Sequence, residues 1–205
     1  MPETDNRAAI LHGGFENPVF NAQSVFSAVM NAMAEPGTIH RLDASAQAPE
    51  PIGPAMSAVL LALLDADTPF WLTASLAESA LASWLSFHCG AQETDEKAEA
   101  AFAVIENGAT MPAFELFSTG TQEYPDRSTT LIVELPSLTG GEPLVLTGPG
   151  VKGSREIAPA GLPPHFIARW AGNRASFPRG IDIVFTCGTE LLCLPRSTTV
   201  MKKGA

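Results

Sequence analysis

The chain has 205 residues, 45% of them hydrophobic and 17% charged, which is the composition of a folded globular protein rather than a disordered one. Its net charge of −10 argues against nucleic acid as a general partner, and no apolar run approaches the roughly 18 residues that cross a bilayer. Three scattered cysteines and an acidic N-terminus without a signal-peptide pattern point to a reducing, cytoplasmic setting.

In chain order, residues 1–13 read as a loose tail, residues 14–200 as one α/β domain and residues 201–205 as a frayed end. Val25, Phe26, Val29, Met30 and Met33 recur at helical spacing, with Asn21 as the expected N-cap and Pro36-Gly37 as the stop. A short strand over Thr38–Leu42 and a Pro/Ala-rich loop over 43–53 follow. A buried helix is expected from Pro54 to about Asp65, a strand at Thr68–Thr73, and a helix over Ala77–Cys89 closed by Gly90. Glu93–Glu99 is an acidic solvated segment. Ala101–Glu106 and Thr129–Leu135 read as strands, Pro112–Phe117 as a short helix, and Pro143–Thr147 as a further strand. Pro163–Gly172 reads as a helix with Phe166, Ile167 and Trp170 inward. The pattern predicts a mixed β-sheet flanked by helices.

Charge is distributed unevenly. Residues 1–150 carry 19 acids against 4 Lys or Arg, and residues 151–205 carry 3 acids against 8 Lys or Arg, so an anion site would fall in the last quarter. There, Ile181–Phe185 and Leu191–Leu194 flank Cys187-Gly188-Thr189-Glu190 and predict a β-hairpin. Its outer ends, Pro178-Arg179-Gly180 and Pro195-Arg196-Ser197-Thr198-Thr199, place Arg179 and Arg196 at one edge beside three hydroxyls. Two readings stand: a solvated hairpin end, or an anion pocket made of Arg196, Ser197, Thr198, Thr199 and Arg179. The loop with Gly148 and Gly150 could add backbone N–H groups, or be a plain turn between strands, and Ser118, Thr119 and Thr121 could close the rim.

Other chemistry lacks its residues. His12, His40, His88 and His165 are dispersed, Cys187 and Cys193 on the hairpin have no histidine beside them, and no metal is expected. Lys97, Lys152, Lys202 and Lys203 all read as solvent-facing, so no Schiff-base cofactor is expected. A stand-alone transferase would need a general base, for which Asp182 and His165 are the candidates.

Seven segments in register carry a resemblance: FSAVMNAMAEPGTI, LLALLDADTPFWL, STGT, LPSLTGG, LTGPGV, FPRGIDIVFTCG and LPRSTTV. From about Gly14 to Val200 the chain resembles the H-subunit family of bacterial carbon–phosphorus lyase. The resemblance implies a fold similar to the large domain of pyridoxal-phosphate-dependent transferases without the cofactor lysine. It also implies a homodimer, and assembly with the G, I and J subunits that join the ribose triphosphate of ATP to methylphosphonate. Cleavage of the carbon–phosphorus bond belongs to the J subunit, which leaves this chain an assembly or nucleotide-handling role with a possible nucleotide or phosphonate ligand. A purely structural subunit with a vestigial pocket is the other form of that role. The chain departs from the family at Ser27, where arginine is usual, and Arg179 occupies a place that leucine can also hold.

Overall fold

The computed structural model describes residues 10–44 and 46–204. Helix α1 (Pro18–Ala34) is capped by Asn17, whose side chain accepts from Phe20 N while its own N–H donates to Asn21 Oδ1 at 2.9 Å. The expected cap, Asn21, is therefore one turn inside the helix, because Pro18 suits the first helical position and leaves Asn17 outside it. At the other end Arg155 donates to Glu35 O (3.1 Å) and Pro36 O (2.6 Å), meeting carbonyls that the helix leaves free. Strand β1 (Ile39–Arg41) and helix α2 (Pro54–Leu63) follow.

Strand β2 (Phe70–Leu72) leads not to one helix but to two, α3 (Ala74–Ala77) and α4 (Leu81–Cys89). Ser79 interrupts the expected single helix: its Oγ donates to Leu76 O and accepts from Leu81 N, replacing ladder bonds with local ones. Strand β3 (Phe102–Ile105), 3₁₀ turns at Phe114–Leu116 and Pro125–Arg127, and β4 (Thr130–Glu134) come next. Then follow β5 (Leu144–Thr147), β6 (Arg155–Ile157), helix α5 (Phe166–Ala175), β7 (Asp182–Cys187), β8 (Glu190–Leu194) and β9 (Thr199–Lys202). The end expected to fray at Met201 instead pairs with β5 through Val145↔Met201 and Leu144↔Lys202. Of the expected loose tail, residues 1–9 lie outside the described residues. His12 and Gly13 are tied down, through Trp84 Nε1 to His12 O and Gln47 N to Gly13 O, both 2.8 Å.

The main sheet runs β1-β8-β7-β4-β3-β2, with β2, β3, β4 and β7 mutually parallel, β8 antiparallel to β7, and edge strand β1 antiparallel to β8. The second sheet, β6-β5-β9, is antiparallel. The mixed α/β architecture agrees with the sequence pattern. Alternation along each parallel strand serves two cores. Val104, Ile132 and Val184 face α1, α2 and α4, whereas Ala103, Leu131 and Ile183 face α5 and the small sheet. The predicted hairpin is present, with Cys187 paired to Glu190 across a two-residue turn and Gly188 at φ +56°. Its register sets Cys193 opposite Val184, so Cys187 and Cys193 do not face one another.

No helix among the described residues is long and apolar enough to cross a membrane, and no group of three or more His, Cys, Asp or Glu there could hold a metal ion.

Candidate functional site

Four parallel strands align their carboxyl ends, and open α/β sheets bind ligands outside such ends. Two of these strands terminate in acids. Glu134 closes β4 and Glu106 follows β3, and both continue the alternation that puts Val104 and Ile132 toward α2. Glu106 is buried and accepts from the hydroxyls of Thr73 and Ser75. Glu134 accepts Gly53 N at 3.1 Å through Oε1, and a Cβ on residue 53 would meet that oxygen, so a larger residue there would displace the Glu134 carboxylate.

Burial pushes the Glu134 carboxyl above the usual carboxylate range. The Gly53 N–H pulls it back in part, and the Glu50 and Glu106 charges raise it further. A glutamine here keeps an acceptor for Gly53 N and removes a charge the fold disfavours. Glu134→Gln is therefore expected to raise the melting temperature at pH 7, where each kcal/mol appears as about 2–4 °C in a chain of this size. As the pH falls, folded Glu134 protonates before unfolded Glu134 does, so the wild type regains stability and the gap narrows. Melts of the two proteins at pH 7 and pH 4.5 check the sign.

A cavity of about 630 Å³ opens over these strand ends. Its remaining wall comes from loop 107–111, loop 161–165 and Arg169 on α5, whose Nη1 donates to Met111 O at 3.3 Å. A neighbouring hollow of about 540 Å³, bordered by Glu50 and Gly53, shares Asn107, Glu134, Leu135 and Pro136 with it. Glu134 thus stands between two openings of one crevice. Arg169 and His165 line it on the α5 side over an apolar floor of Ile105, Val133 and Leu135, while the carboxylates of Glu134 and Glu106 turn to the other face of the sheet, toward Gly53 and toward Thr73 and Ser75.

The expected anion site at the hairpin lies elsewhere. Asp182 begins β7 opposite Thr130, the first residue of β4, which is the amino edge of the parallel strands. Arg196 turns inward there: its Nε lies 3.1 Å from both Asp182 oxygens and Nη2 pairs with Asp182 and donates to Ser128 Oγ at 2.5 Å. Nη1 donates to Pro125 O at 2.6 Å, which leaves a single guanidinium hydrogen without a partner among the described residues. Asp182, a candidate base, is held by this arginine.

Arg179 is exposed and does not share the cluster's hydrogen bonds. Ser118 and Thr121 bind the chain at Arg127 and Tyr124, and Thr119 O accepts Gly180 N at 2.9 Å, so this segment reaches Arg196 only through Pro125 and Ser128. Thr198 is buried with its hydroxyl unpartnered, while Ser197 and Thr199 are half-buried. Gly148 packs on Ser197 and Thr198, but Gly150 lies against Ala34 O at the end of α1, so these two glycines do not converge. His165 lines the crevice at the opposite edge. Lys97, expected in solvent, is half-buried with its ammonium 4.4 Å from the Trp71 ring centre.

The crevice residues Glu106, Glu134, Asn107 and Arg169 were not singled out from the sequence. Their signal was there: AFAVIE and TLIVE are apolar strands ending in an acid.

The fold and crevice define an α/β protein with an open, mostly parallel sheet and a cavity at the carboxyl ends of its strands. The match of residues 13–201 to the family of bacterial phosphonate metabolism proteins, PhnH, is nearly complete, and the chain belongs to that family. It is 51% identical over 197 residues to the alpha-D-ribose 1-methylphosphonate 5-triphosphate synthase subunit PhnH of Rhizobium meliloti (strain 1021), covering 96% of this chain and 98% of that one. A putative C-P lyase subunit protein, HtxG of Stutzerimonas stutzeri, is 31% identical over 86 residues, or 42% of this chain and 44% of that one.

Proposed function

We propose that this chain is a subunit of a bacterial phosphonate-degrading assembly, required for making alpha-D-ribose 1-methylphosphonate 5-triphosphate. In that reaction an oxygen of methylphosphonate replaces adenine at C1′ of the ribose of ATP. The observation that carries the reading is near-full-length identity to a relative named as a subunit of the corresponding synthase. Its role is assembly or ligand handling beside the G, I and J subunits, in the cytoplasm, with a homodimer contact of its own and a fold related to the large domain of pyridoxal-phosphate-dependent transferases.

A protein-facing surface supports the assembly role. On α1, Val19 (74% exposed), Phe20 (68%), Phe26 (48%) and Met30 (51%) lie outward beside Ile39 (42%) of the edge strand β1. Apolar side chains of this size, exposed together, mark contact surfaces. Ser27 is exposed in the middle of that stripe, so the family's arginine would stand at the contact. An anion at the hairpin end would have only the last Nη1 hydrogen of Arg196 and the Ser197 and Thr199 hydroxyls to meet, unless the Asp182 pair opened.

Co-purification with the G, I and J subunits, followed by adenine release from ATP and methylphosphonate, tests the reading. The expected result is adenine release by the complete assembly, none when this chain is omitted, and none from this chain alone. Turnover by the isolated chain would overturn it in favour of a stand-alone transferase, and full activity without the chain would overturn it outright.

A further inference from the structure

We propose that Asn107 is a site of spontaneous deamidation, with the Gly108 nitrogen as nucleophile. The product sets a further carboxylate on the rim shared by the two hollows at the strand ends. This chemistry belongs to one turn and is independent of the subunit role.

Asn107-Gly108 is the one Asn-Gly pair in the sequence. It forms the middle of a turn that Ala109 N closes by donating to Glu106 O at 3.2 Å. Gly108 stands at φ +87° after a residue of negative φ, which fits a type II turn. Both residues are exposed, and a Cβ on Gly108 would meet nothing within 4 Å. Gly108 N has no hydrogen-bond partner among the described residues. The peptide between the two residues must turn over to bring that nitrogen to Asn107 Cγ. Glycine permits this, since it has no side chain in the way and populates both signs of φ.

In the reaction the Gly108 nitrogen bonds to Asn107 Cγ and the Cγ–Nδ2 bond breaks. Ammonia leaves, carrying the proton lost from the Gly108 nitrogen. The succinimide ring then takes up one water at either carbonyl. Attack at Cγ reopens the new bond and gives aspartate; attack at the main-chain carbonyl breaks the original peptide bond and gives isoaspartate.

The other described asparagines lack this combination. Asn17 precedes Pro18, which has no N–H to attack with. Asn21 and Asn31 lie inside α1, where the following nitrogens are held in the helix ladder. Asn173 is buried, and Ile181 engages both ends of its amide, at 2.9 and 2.8 Å. The place of Asn107 gives the change a consequence. Asn107 and Glu134 both border the cavity of about 630 Å³ and the hollow of about 540 Å³. An acid at 107 adds charge where burial already disfavours the Glu134 carboxylate. Isoaspartate also lengthens the backbone by one methylene just after β3.

Incubating the full chain in mildly alkaline buffer beside a synthetic peptide spanning Val104–Pro112, with peptide mapping by mass spectrometry, tests this. We expect Asn107 to become an acid less than about tenfold more slowly in the folded chain than in the peptide, because exposed turns open locally at little cost. The rate should rise with pH, since the deprotonated nitrogen is the attacker. Isoaspartate should be the larger product, detected by enzymatic methyl transfer to its α-carboxyl. Asn107→Gln should abolish the change, because its longer side chain closes a ring far less readily, and circular dichroism melts show that this variant is folded. Three results overturn the proposal. One is slowing by about tenfold or more in the folded chain, which would mean that the fold protects the turn. The second is aspartate without isoaspartate, which would mean direct hydrolysis with no ring. The third is acid appearing at Asn17, Asn21, Asn31 or Asn173 before Asn107.

Discussion

Trp170→Ala is expected to destabilise the protein by about 3–5 kcal/mol, the range for truncating a large aromatic in a core. Trp170 is fully buried, stacked on Phe166 at 6.0 Å between ring centres and edge-on to Phe114 at 6.3 Å. Alanine leaves a cavity that α5 cannot collapse without parting from the small sheet. It also strands the Thr198 carbonyl, which accepts Trp170 Nε1 at 2.9 Å in a buried position. At about 2–4 °C per kcal/mol, the melting temperature should fall by about 6–20 °C. Trp170→Phe separates the two causes, since it keeps most of the ring packing and loses only the hydrogen bond, for about 1–2 kcal/mol. A loss below about 1 kcal/mol for Trp170→Ala would mean that Phe114 and Phe166 repack into the space, and the core on this side would be softer than its burial indicates.

Sequence patterning reached the elements whose determinants are local. The helix under the stripe Val25, Phe26, Val29, Met30 and Met33 and the Cys187–Glu190 turn of the β7–β8 hairpin need only near neighbours and appear where expected. Of that stripe, read as core, Phe26 and Met30 are nevertheless exposed, since only the Val25 and Val29 side of α1 meets the sheet. Determinants that are weak locally were missed. Ser79 splits a helix with no Gly or Pro beside it, and Thr199–Lys202 becomes a strand only because β5 offers an edge. The functional geometry was the least legible, because it depends on which edge of a sheet each residue reaches. Asp182 and Arg196 are 14 residues apart and read as separate strand-end groups, until the hairpin closes them into a pair. Glu106 and Glu134 read as two unrelated strand-end acids, until parallel register aligns Ile105 with Val133 and sets both acids at one crevice. Tertiary pairing decided each case.

Arg196→Ala is the substitution on which the two views of the hairpin end diverge. The side chains of Arg196 and Asp182 are 14% and 18% exposed, and the arginine also holds Pro125 O and Ser128 Oγ. Removing it leaves Asp182 mostly buried without its cation and frees the segment carrying Ser118–Thr121. Breaking such a pair by deleting one member costs about 3–5 kcal/mol when fully buried, and about 2–4 kcal/mol is expected here because water reaches both groups. Asp182→Asn should cost less, since an amide oxygen can still accept Arg196 N, which the carboxylate takes at 2.7 Å. The double variant Arg196→Met with Asp182→Leu should be more stable than Arg196→Ala alone, because no unpaired charge remains. Urea unfolding of the four proteins measures this directly. Should Arg196→Ala unfold like the wild type, the arginine is not a structural clamp, and its guanidinium is free to serve the phosphate contact that its place beside Ser197, Thr198 and Thr199 first indicated. A large loss with strong coupling to Asp182 instead makes any effect of Arg196→Ala on phosphonate turnover a consequence of lost structure, and leaves the ligand question to the crevice at the other edge of the sheet.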